Sequence, residues 1–239
     1  MPVQPPPALQ PPPAAFEVAG ERLELHAERA AYWAAEKTLL VADTHWGKAA
    51  TFRSVSIPLP DTEVDSDLGR LSAVLDRTGA ERLVVLGDML HHRKGRDEAT
   101  FAAIARWRAA HADLEVVLIE GNHDRSSGRV PADWRVRTVR GALSVGPFVL
   151  SHYPDADPAG YVLAGHLHPK VKLRGAAGEV KLPCWWFGDE AGVFPAFGSL
   201  IDGAPVRPAK TDRVFVVADD EVVDVSAPAA KGRRIGAAA

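Results

Sequence analysis

The chain has 239 residues, of which 46% are hydrophobic and 25% charged, and its formal net charge is −3. This composition is that of a globular protein with one substantial core, and it excludes wholesale disorder. The charge excludes a surface coated with basic residues, so contact with nucleic acid would need a local basic patch or metal ions. A single cysteine, Cys184, excludes a disulfide framework and a multi-cysteine zinc site, and it favours a cytoplasmic location.

Both ends of the chain have a biased composition. Residues 1–16 contain seven prolines, which favour extended conformations and lack a backbone donor, so we predict a disordered leader there. Residues 227–239 are rich in small and basic residues and predict a flexible basic tail. A single domain is then expected over 17–226. No apolar run approaches the length of a membrane span, so we expect neither an export signal nor a membrane anchor.

Short apolar runs predict five buried strands, because each run is too short for most helices and is rich in β-branched residues. These runs cover residues 38–42, 83–86, 116–119, 148–150 and 161–164. Apolar residues at helical spacing predict helices over 65–79 and 97–111, the second with Asp97 as its N-terminal cap. Alternating segments at 22–43 and 212–225 favour hairpins on either side of this core. The alternation of strands and helices is typical of a layered α/β fold.

Polar side chains follow each of the five predicted strands at the point where the strand ends. Open α/β sheets bind ligands outside the carboxyl ends of their strands, so these distant loops can converge on one crevice. Carboxylate, imidazole and carboxamide ligands without thiolate suit Mn, Fe, Co, Ni or Zn. They exceed the needs of one ion and predict two, about 3.5–4 Å apart, bridged by a carboxylate and a water or hydroxide. The candidates are Asp43, His45, Asp88, Asn122, His123, Asp124, His152, His166 and His168.

The motifs DTH, GD, GNHD, SH and GHLH, in this order and each after a predicted strand, resemble those of the calcineurin-like metallophosphoesterase superfamily. The resemblance covers residues 38–170 and implies an α/β fold, a four-layer αββα sandwich of two mixed sheets flanked by helices. It also implies two sets of metal ligands joined by a bridging carboxylate, Asp88. One ion would be held by Asp43, His45 and His168, and the other by Asn122, His152 and His166.

The same resemblance assigns a role to the histidine of the GNH motif, His123. This residue would bind no metal; it would donate a hydrogen bond to the phosphoryl oxygens or a proton to the leaving alkoxide, with Asp124 orienting its ring. The implied reaction is in-line attack on phosphorus by a metal-bridging hydroxide. The implied cofactors are two divalent ions, Mn²⁺ first, with Fe, Zn, Co or Ni as alternatives.

The longer motifs DTHWGK, GDMLHH and PAFGSLIDG are most similar to those of the bacterial ligase-associated DNA damage response phosphoesterases, a family of endonucleases. One departure concerns the second motif, which many superfamily members continue as GDxxDR, with an arginine that contacts the substrate phosphate. Here His91 and His92 take those places, and His91 is a candidate for substrate contact. Arg93, Lys94 and Arg96 follow and are candidates for a phosphate-binding loop; a solvated basic loop is the alternative.

Together these patterns predict a dinuclear metal-dependent phosphodiesterase that cleaves DNA. A role in DNA repair is expected, with ligase- or helicase-associated repair proteins as partners. Two alternatives stay open: hydrolysis of a nucleotide or another small phosphate ester, and a non-catalytic, metal-bound scaffold in a repair complex. Intact candidates for both metal sites and for the acid at His123 favour the enzyme over the scaffold.

Overall fold

The computed structural model describes residues 11–60, 62–175 and 178–226. Residues 1–10 of the expected leader and the expected tail lie outside these ranges. Residues 14–16, which we assigned to the leader, belong to strand β1 (Ala14–Val18), so that prediction is wrong at its end. The physical reason is Phe16, whose buried ring packs 4.5 Å from the ring of Phe187 and draws this segment into the core.

The first sheet has seven strands, ordered β1 to β7 along the sheet as along the chain. Strands β1 to β4 pair antiparallel, which confirms the hairpin expected ahead of the core, and β4 to β7 pair parallel. The strands that follow β1 are β2 (Glu21–His26), β3 (Ala30–Trp33), β4 (Thr38–Val41), β5 (Arg82–Val85), β6 (Glu115–Ile119) and β7 (Val136–Val139). The predicted strands at 38–42, 83–86 and 116–119 are thereby confirmed.

The second sheet has eight strands, ordered β15-β14-β12-β13-β10-β9-β8, with β11 beside β12. Strands β9, β10 and β13 pair parallel, and the other pairs are antiparallel. The strands are β8 (Leu143–Val145), β9 (Phe148–Leu150), β10 (Tyr161–Ala164), β11 (Lys170–Gly175), β12 (Gly178–Phe187), β13 (Ala191–Val193), β14 (Arg213–Ala218) and β15 (Glu221–Asp224). The predicted strands at 148–150 and 161–164 and the late hairpin are confirmed.

The two longest helices of the described chain lie where the sequence predicts them. Helix α2 (Glu63–Thr78) ends where Gly79 adopts a left-handed conformation, with a φ of 64°. The N-terminal cap of α3 is Asp97, whose carboxylate accepts a hydrogen bond from the backbone N–H of Thr100 at 2.8 Å. No described helix has the length and apolar character needed to span a membrane. The α-helices are α1 (Lys48–Arg53), α2 (Glu63–Thr78), α3 (Glu98–Ala110) and α4 (Asn122–Ser127).

Strand β4 shows how the layers are built. Leu40 faces the core between the two sheets, whereas Leu39 and Val41 face the helices α2 and α3 on the other side of the first sheet. A strand buried on both faces must be apolar throughout, which explains the unbroken apolar run. The expected α/β fold of two mixed sheets is confirmed, with a few flanking helices. On the outer face of the second sheet, the apolar clusters of the described residues come from strands and loops.

Candidate metal centre

The seven predicted metal ligands lie together at one edge of the two sheets. Strands β4, β5 and β6 run parallel, as do β9 and β10, and the ligands follow their carboxyl ends. Each sheet therefore presents its polar loops at this edge, where open α/β sheets bind ligands. The structure brings together Asp43, His45, Asp88, Asn122, His152, His166 and His168.

The backbone at these positions is unusual. Five of the seven residues have φ values between 45° and 71°, which residues with a Cβ adopt rarely. Such conformations persist only where the surrounding structure enforces them, and they cluster at active sites. The five residues are Asp43, His45, Asp88, His166 and His168.

Two glycines let the ligand loops approach one another closely. A Cβ at Gly87, where φ is 86°, would lie 2.1 Å from Nδ1 of His152. A Cβ at Gly121 would lie 2.2 Å from Oδ1 of Asp88. Any larger residue at either position would displace a proposed ligand, so glycine is required there by close approach.

The first group of ligands consists of Asp43, His45 and His168, whose ligand atoms all lie within 4.8 Å of one another. His168 Nδ1 lies 3.2 Å from the carbonyl oxygen of Asp202, which can only accept a hydrogen bond, so Nε2 is the nitrogen left to bind metal. That Nε2 faces Asp43 Oδ1 at 3.3 Å, and both atoms are buried without a hydrogen bond in the described structure. A divalent cation between them would satisfy both.

The two imidazoles of this group differ in the direction of their pKa shifts. Burial, helped by His123 and His168, lowers the pKa of His45, so its ring is held in the neutral form that binds metal. Burial also lowers the pKa of His168, but Asp43, the carbonyl oxygen of Asp202 and Asp88 together outweigh burial and raise this pKa above its ordinary value.

The second group consists of Asp88, His152 and His166, with Asn122 beside them. His152 Nδ1 lies 3.0 Å from the carbonyl oxygen of Leu86, so its Nε2 carries the lone pair. This Nε2 lies 3.0 Å from the Asn122 carboxamide oxygen and 3.5 Å from Asp88 Oδ2. His166 Nδ1 lies 3.2 Å from the same Nε2. Oxygen and imidazole ligands that face a common point are what a cation site requires, so these residues also fit a divalent ion.

Asp88 lies between the two groups. Its Oδ2 is 3.8 Å from His45 Nε2 in the first group and 3.5 Å from His152 Nε2 in the second. Its Oδ1 accepts a hydrogen bond from the backbone N–H of His123 at 2.8 Å. Burial raises the pKa of Asp88, and the nearby Asp43 adds to this although His152 opposes it. The geometry is that of a carboxylate with access to both groups.

His91 and His123 form the rim of the site next to His45. The His91 and His123 rings stack at 5.1 Å with an interplanar angle of 17°, and the His123 ring lies 4.7 Å from that of His45. His123 Nδ1 donates to the backbone carbonyl oxygen of His91 at 2.7 Å. The tautomer is therefore set by a backbone oxygen, which leaves Nε2 available to a substrate.

Asp124 does not orient the ring of His123, and that prediction is wrong. Its buried carboxylate accepts hydrogen bonds from the backbone N–H groups of Leu90, at 3.1 Å, and Gly121, at 3.0 Å. Consecutive residues of a helix project in different directions, so Asp124 and His123 at the start of α4 do not share a side. Burial raises the pKa of Asp124 to about 6. Asp124 ties the loop after β5 to the loop after β6.

The basic loop after Asp88 divides into two parts. Arg93 and Lys94 are exposed on a short 3-10 turn. The guanidinium of Arg96 donates to the carbonyl oxygens of Ser127, at 3.3 Å, and Arg129, at 3.0 Å, and lies over the Phe101 ring. Arg96 therefore connects this loop to the end of α4, whereas the first two basic side chains face solvent.

Two residues of the site, Tyr153 and Arg125, were not predicted from the sequence. The Tyr153 ring packs 4.8 Å from the ring of His152 and 4.7 Å from that of His166. Arg125 donates a hydrogen bond to the Tyr153 hydroxyl at 2.7 Å. The available signal was position, because each residue follows a metal-ligand motif directly, as in GNHDR and SHY.

The support of His168 was not predicted either. Asp67 of α2 is buried and accepts hydrogen bonds from the backbone N–H of Ser199, at 3.1 Å, and from its hydroxyl. The segment anchored in this way continues to Asp202, whose carbonyl oxygen accepts from His168 Nδ1. The motif PAFGSLIDG was the sequence signal for this segment. Asp67 had no signal because helices often contain isolated carboxylates.

Solved structures show what this chain resembles. It is similar to the crystal structure of the Pseudomonas putida nuclease MPE, with 37% sequence identity and a TM-score of 0.80; the alignment covers 89% of this chain and 100% of that one. No family model and no curated protein matches the chain.

Two further structures match only weakly. The protein of unknown function AQ665 from Aquifex aeolicus is 19% identical over 54% of this chain and 77% of its own, with a TM-score of 0.38. The phosphoesterase Yfce from E. coli is 14% identical over 79% of this chain and 98% of its own, with a TM-score of 0.38.

Proposed function

Because this chain belongs to the metallophosphoesterase nuclease family and is a phosphoric ester hydrolase, we propose that it is a phosphodiesterase that cleaves DNA with two divalent metal ions. The observation that carries the proposal is the convergence of carboxylates and imidazoles from both sheets at one edge. The nuclease activity of the Pseudomonas putida relative favours nucleic acid over a small phosphate ester. One domain, starting at Ala14 and ending near Ser226, would carry the whole site.

We assign the ligands to two ions. Asp43, His45 and His168 would hold one ion, Asn122, His152 and His166 the other, and Asp88 both. The donor set of oxygen and imidazole nitrogen without thiolate suits Mn²⁺, with Fe, Zn, Co or Ni as alternatives. When bound, such a pair of ions supplies an activated water and neutralises charge on a phosphate ester.

The chain's own contribution centres on His123. Its Nδ1 proton is committed to the carbonyl oxygen of His91, so Nε2 is the atom that meets the substrate. A protonated Nε2 can donate to a phosphoryl oxygen and pass its proton to the leaving alkoxide. The stacked ring of His91 would line the same rim and contact the substrate, and Arg93 and Lys94 would add positive charge for phosphate groups.

The role in the cell follows from the sequence motifs alone. We propose DNA repair, with ligase- or helicase-associated proteins as partners. The complete ligand set is the reason to prefer an enzyme over a metal-bound scaffold, since a scaffold needs neither both groups nor the acid at His123.

A metal-screened assay tests the proposal. Chelated protein is supplied with Mn²⁺ or another divalent ion and given single-stranded DNA, double-stranded DNA, bis-p-nitrophenyl phosphate or p-nitrophenyl phosphate. We expect Mn²⁺ to restore cleavage of DNA and of the diester. Asp88→Ala should abolish both metal binding and turnover. No cleavage of any phosphodiester by metal-loaded protein would contradict the proposal.

His123→Ala separates the acid from the metal ligands. This variant should keep both ions, counted by elemental analysis, while turnover falls by roughly 100- to 10,000-fold. His111→Ala is the matched control, since His111 contacts Trp107 and Ser72. Loss of metal from the His123 variant would show that the residue is a ligand.

A further inference from the structure

We infer that a groove beside the metal centre binds the phosphates of a DNA strand on one side of the phosphate that is cleaved. The inference rests on the proposed function, because it states how that site holds its substrate. We name this surface the arginine groove after the four exposed arginines in its walls, Arg93, Arg125, Arg129 and Arg140.

The arginine groove is a cavity of about 850 Å³, and one of its arginines, Arg125, binds the hydroxyl of Tyr153, whose ring packs against the proposed ligand His152. This volume is toward the upper end of the roughly 300–1,000 Å³ of ligand sites. Asp124 lines the groove and binds the backbone N–H of Gly121, the residue before the proposed ligand Asn122. A residue of the groove's lining therefore holds the loop that carries a proposed ligand.

The fold, and not the local sequence, assembles these arginines. Arg93 lies on the turn after β5, Arg125 and Arg129 lie in and just after α4, and Arg140 follows β7. Arg96 joins two of these segments, because its guanidinium binds the carbonyl oxygens of Ser127 and Arg129. The spacing of the walls is thus held by structure and does not depend on a ligand.

The charge of the groove suits a polyanion. Its lining contains four arginines but only two carboxylates, Glu120 and Asp124. Asp124 is occupied by backbone N–H groups, and Glu120 lies 3.7 Å from Arg140, whose side chain is 82% exposed, so that pair is weak. Within the described ranges no carboxylate pairs with Arg93, Arg125 or Arg129. The whole chain carries a net charge of −3, so this positive surface is local.

Arginine is well matched to this role. Its planar guanidinium binds phosphate oxygens through two parallel N–H groups and stays charged at any physiological pH. Several such contacts along a strand fix its register without reading its sequence. The groove therefore predicts binding to the DNA backbone with little base preference.

Arg125 and Tyr153 link the groove to the metal centre. The Tyr153 hydroxyl accepts a hydrogen bond from Arg125, and the ring packs against His152 and His166, two proposed ligands. A DNA strand that leaves the metal centre along this side would meet the Tyr153 ring first and the groove arginines next. Aromatic rings of this kind stack on bases irrespective of sequence.

The arginine groove should contact DNA but not a small diester. Bis-p-nitrophenyl phosphate has one phosphate and can occupy only the metal centre. DNA has further phosphates, each of which gains from an arginine and releases counterions on binding. Loss of groove arginines should therefore affect DNA far more than the small diester.

The test compares two double variants. Arg129→Gln with Arg140→Gln removes two groove charges, and Arg106→Gln with Arg135→Gln removes two exposed charges elsewhere. Binding of a fluorescent single-stranded oligonucleotide is followed by anisotropy against salt, in the non-cleaving Asp88→Ala background. Turnover of DNA and of bis-p-nitrophenyl phosphate is measured in the parent background with Mn²⁺.

We expect the groove variant to bind DNA at least tenfold more weakly than the control. The slope of log affinity against log salt should become less steep by about 1.4, or 0.7 per lost phosphate contact. Its turnover of DNA should fall at least tenfold more than its turnover of the small diester. Equal DNA binding and salt slopes in the two double variants would overturn the inference, as would equal losses on both substrates. Groove-dependent binding without cleavage of either substrate by the parent would support the groove and refute the proposed function.

Discussion

A single methyl group tests the geometry of the metal centre. Replacing Gly121 by alanine would place a Cβ 2.2 Å from Oδ1 and 2.6 Å from the backbone nitrogen of Asp88. Non-bonded heavy atoms prefer separations of roughly 3.5 Å, so Asp88 or the loop before Asn122 would have to move by about 1 Å. Neither can yield easily, because Asp88 also accepts a hydrogen bond from the N–H of His123.

The size of the effect follows from this displacement. Forcing an extra carbon into a packed region costs about 1–3 kcal/mol, so the free energy of unfolding should fall by that amount. Moving a metal ligand or its support typically weakens metal binding by about 10- to 100-fold. We therefore expect Gly121→Ala to fold, to be less stable, and to bind Mn²⁺ one to two orders of magnitude more weakly.

Gly69→Ala is the matched control. Gly69 is exposed in α2, and a Cβ there meets nothing within 4 Å. Alanine stabilises a helix relative to glycine by about 0.5–1 kcal/mol, so Gly69→Ala should raise the free energy of unfolding, whereas Gly121→Ala should lower it. Urea unfolding of the metal-free proteins and calorimetric titration with Mn²⁺ measure both quantities. Wild-type Mn²⁺ affinity in Gly121→Ala would refute the reasoning about close approach.

Three further outcomes are expected. Burial, with help from Arg77, lowers the pKa of His26 from 6.5 to about 4. Between these pH values the unfolded chain binds the proton and the folded chain does not, so the free energy of unfolding should fall by up to about 3 kcal/mol as the pH drops. His26→Gln should remove this loss, as measured by urea unfolding at each pH. Asp67→Ala should weaken Mn²⁺ binding several-fold and lower the free energy of unfolding by about 1–3 kcal/mol. Asp65→Asn, on the exposed side of the same helix, should change neither quantity. Burial raises the pKa of Cys184 to about 12, so a disulfide reagent should modify this thiol only after unfolding.

Each outcome has a clear opposite. An equal pH dependence of stability in wild type and His26→Gln would show that another group carries the acid sensitivity. Equal Mn²⁺ affinity in the Asp67 and Asp65 variants would mean that the segment up to Asp202 holds His168 without help from α2. Rapid modification of Cys184 in the folded protein would contradict its burial beside β14.

The chain's local patterns were sufficient for the strands and for the ligand candidates. An apolar run such as 38–42 favours a strand buried on both faces, and an acid and an imidazole directly after such a strand lie at its carboxyl end. Parallel strands end at the same edge, so the residue order predicted that Asp43, Asp88 and Asn122 lie along one edge of the sheet. The helix over 97–111 followed in the same way from its cap and its apolar spacing.

The direction in which individual side chains point could not be predicted from local sequence patterns. Asp124 and His123 are neighbours in the chain, yet the start of α4 turns one toward the loops and the other toward the site. Arg96 and Arg93 look alike in sequence, but only the tertiary contacts decide that one binds carbonyl oxygens and the other faces solvent. Exposed side chains such as Arg129 and Arg140 leave no periodic signal, because burial, not charge, creates periodicity.

The sequence by itself thus determined which residue types follow the strands and therefore what chemistry is available. Only the tertiary structure decided which of them meet, because a meeting depends on how two sheets pack and how each loop turns. Phe16 is a second case in which the tertiary structure, and not the local sequence, decided the outcome. Its proline-rich surroundings predict disorder, and only the apolar space between the sheets makes it part of a strand.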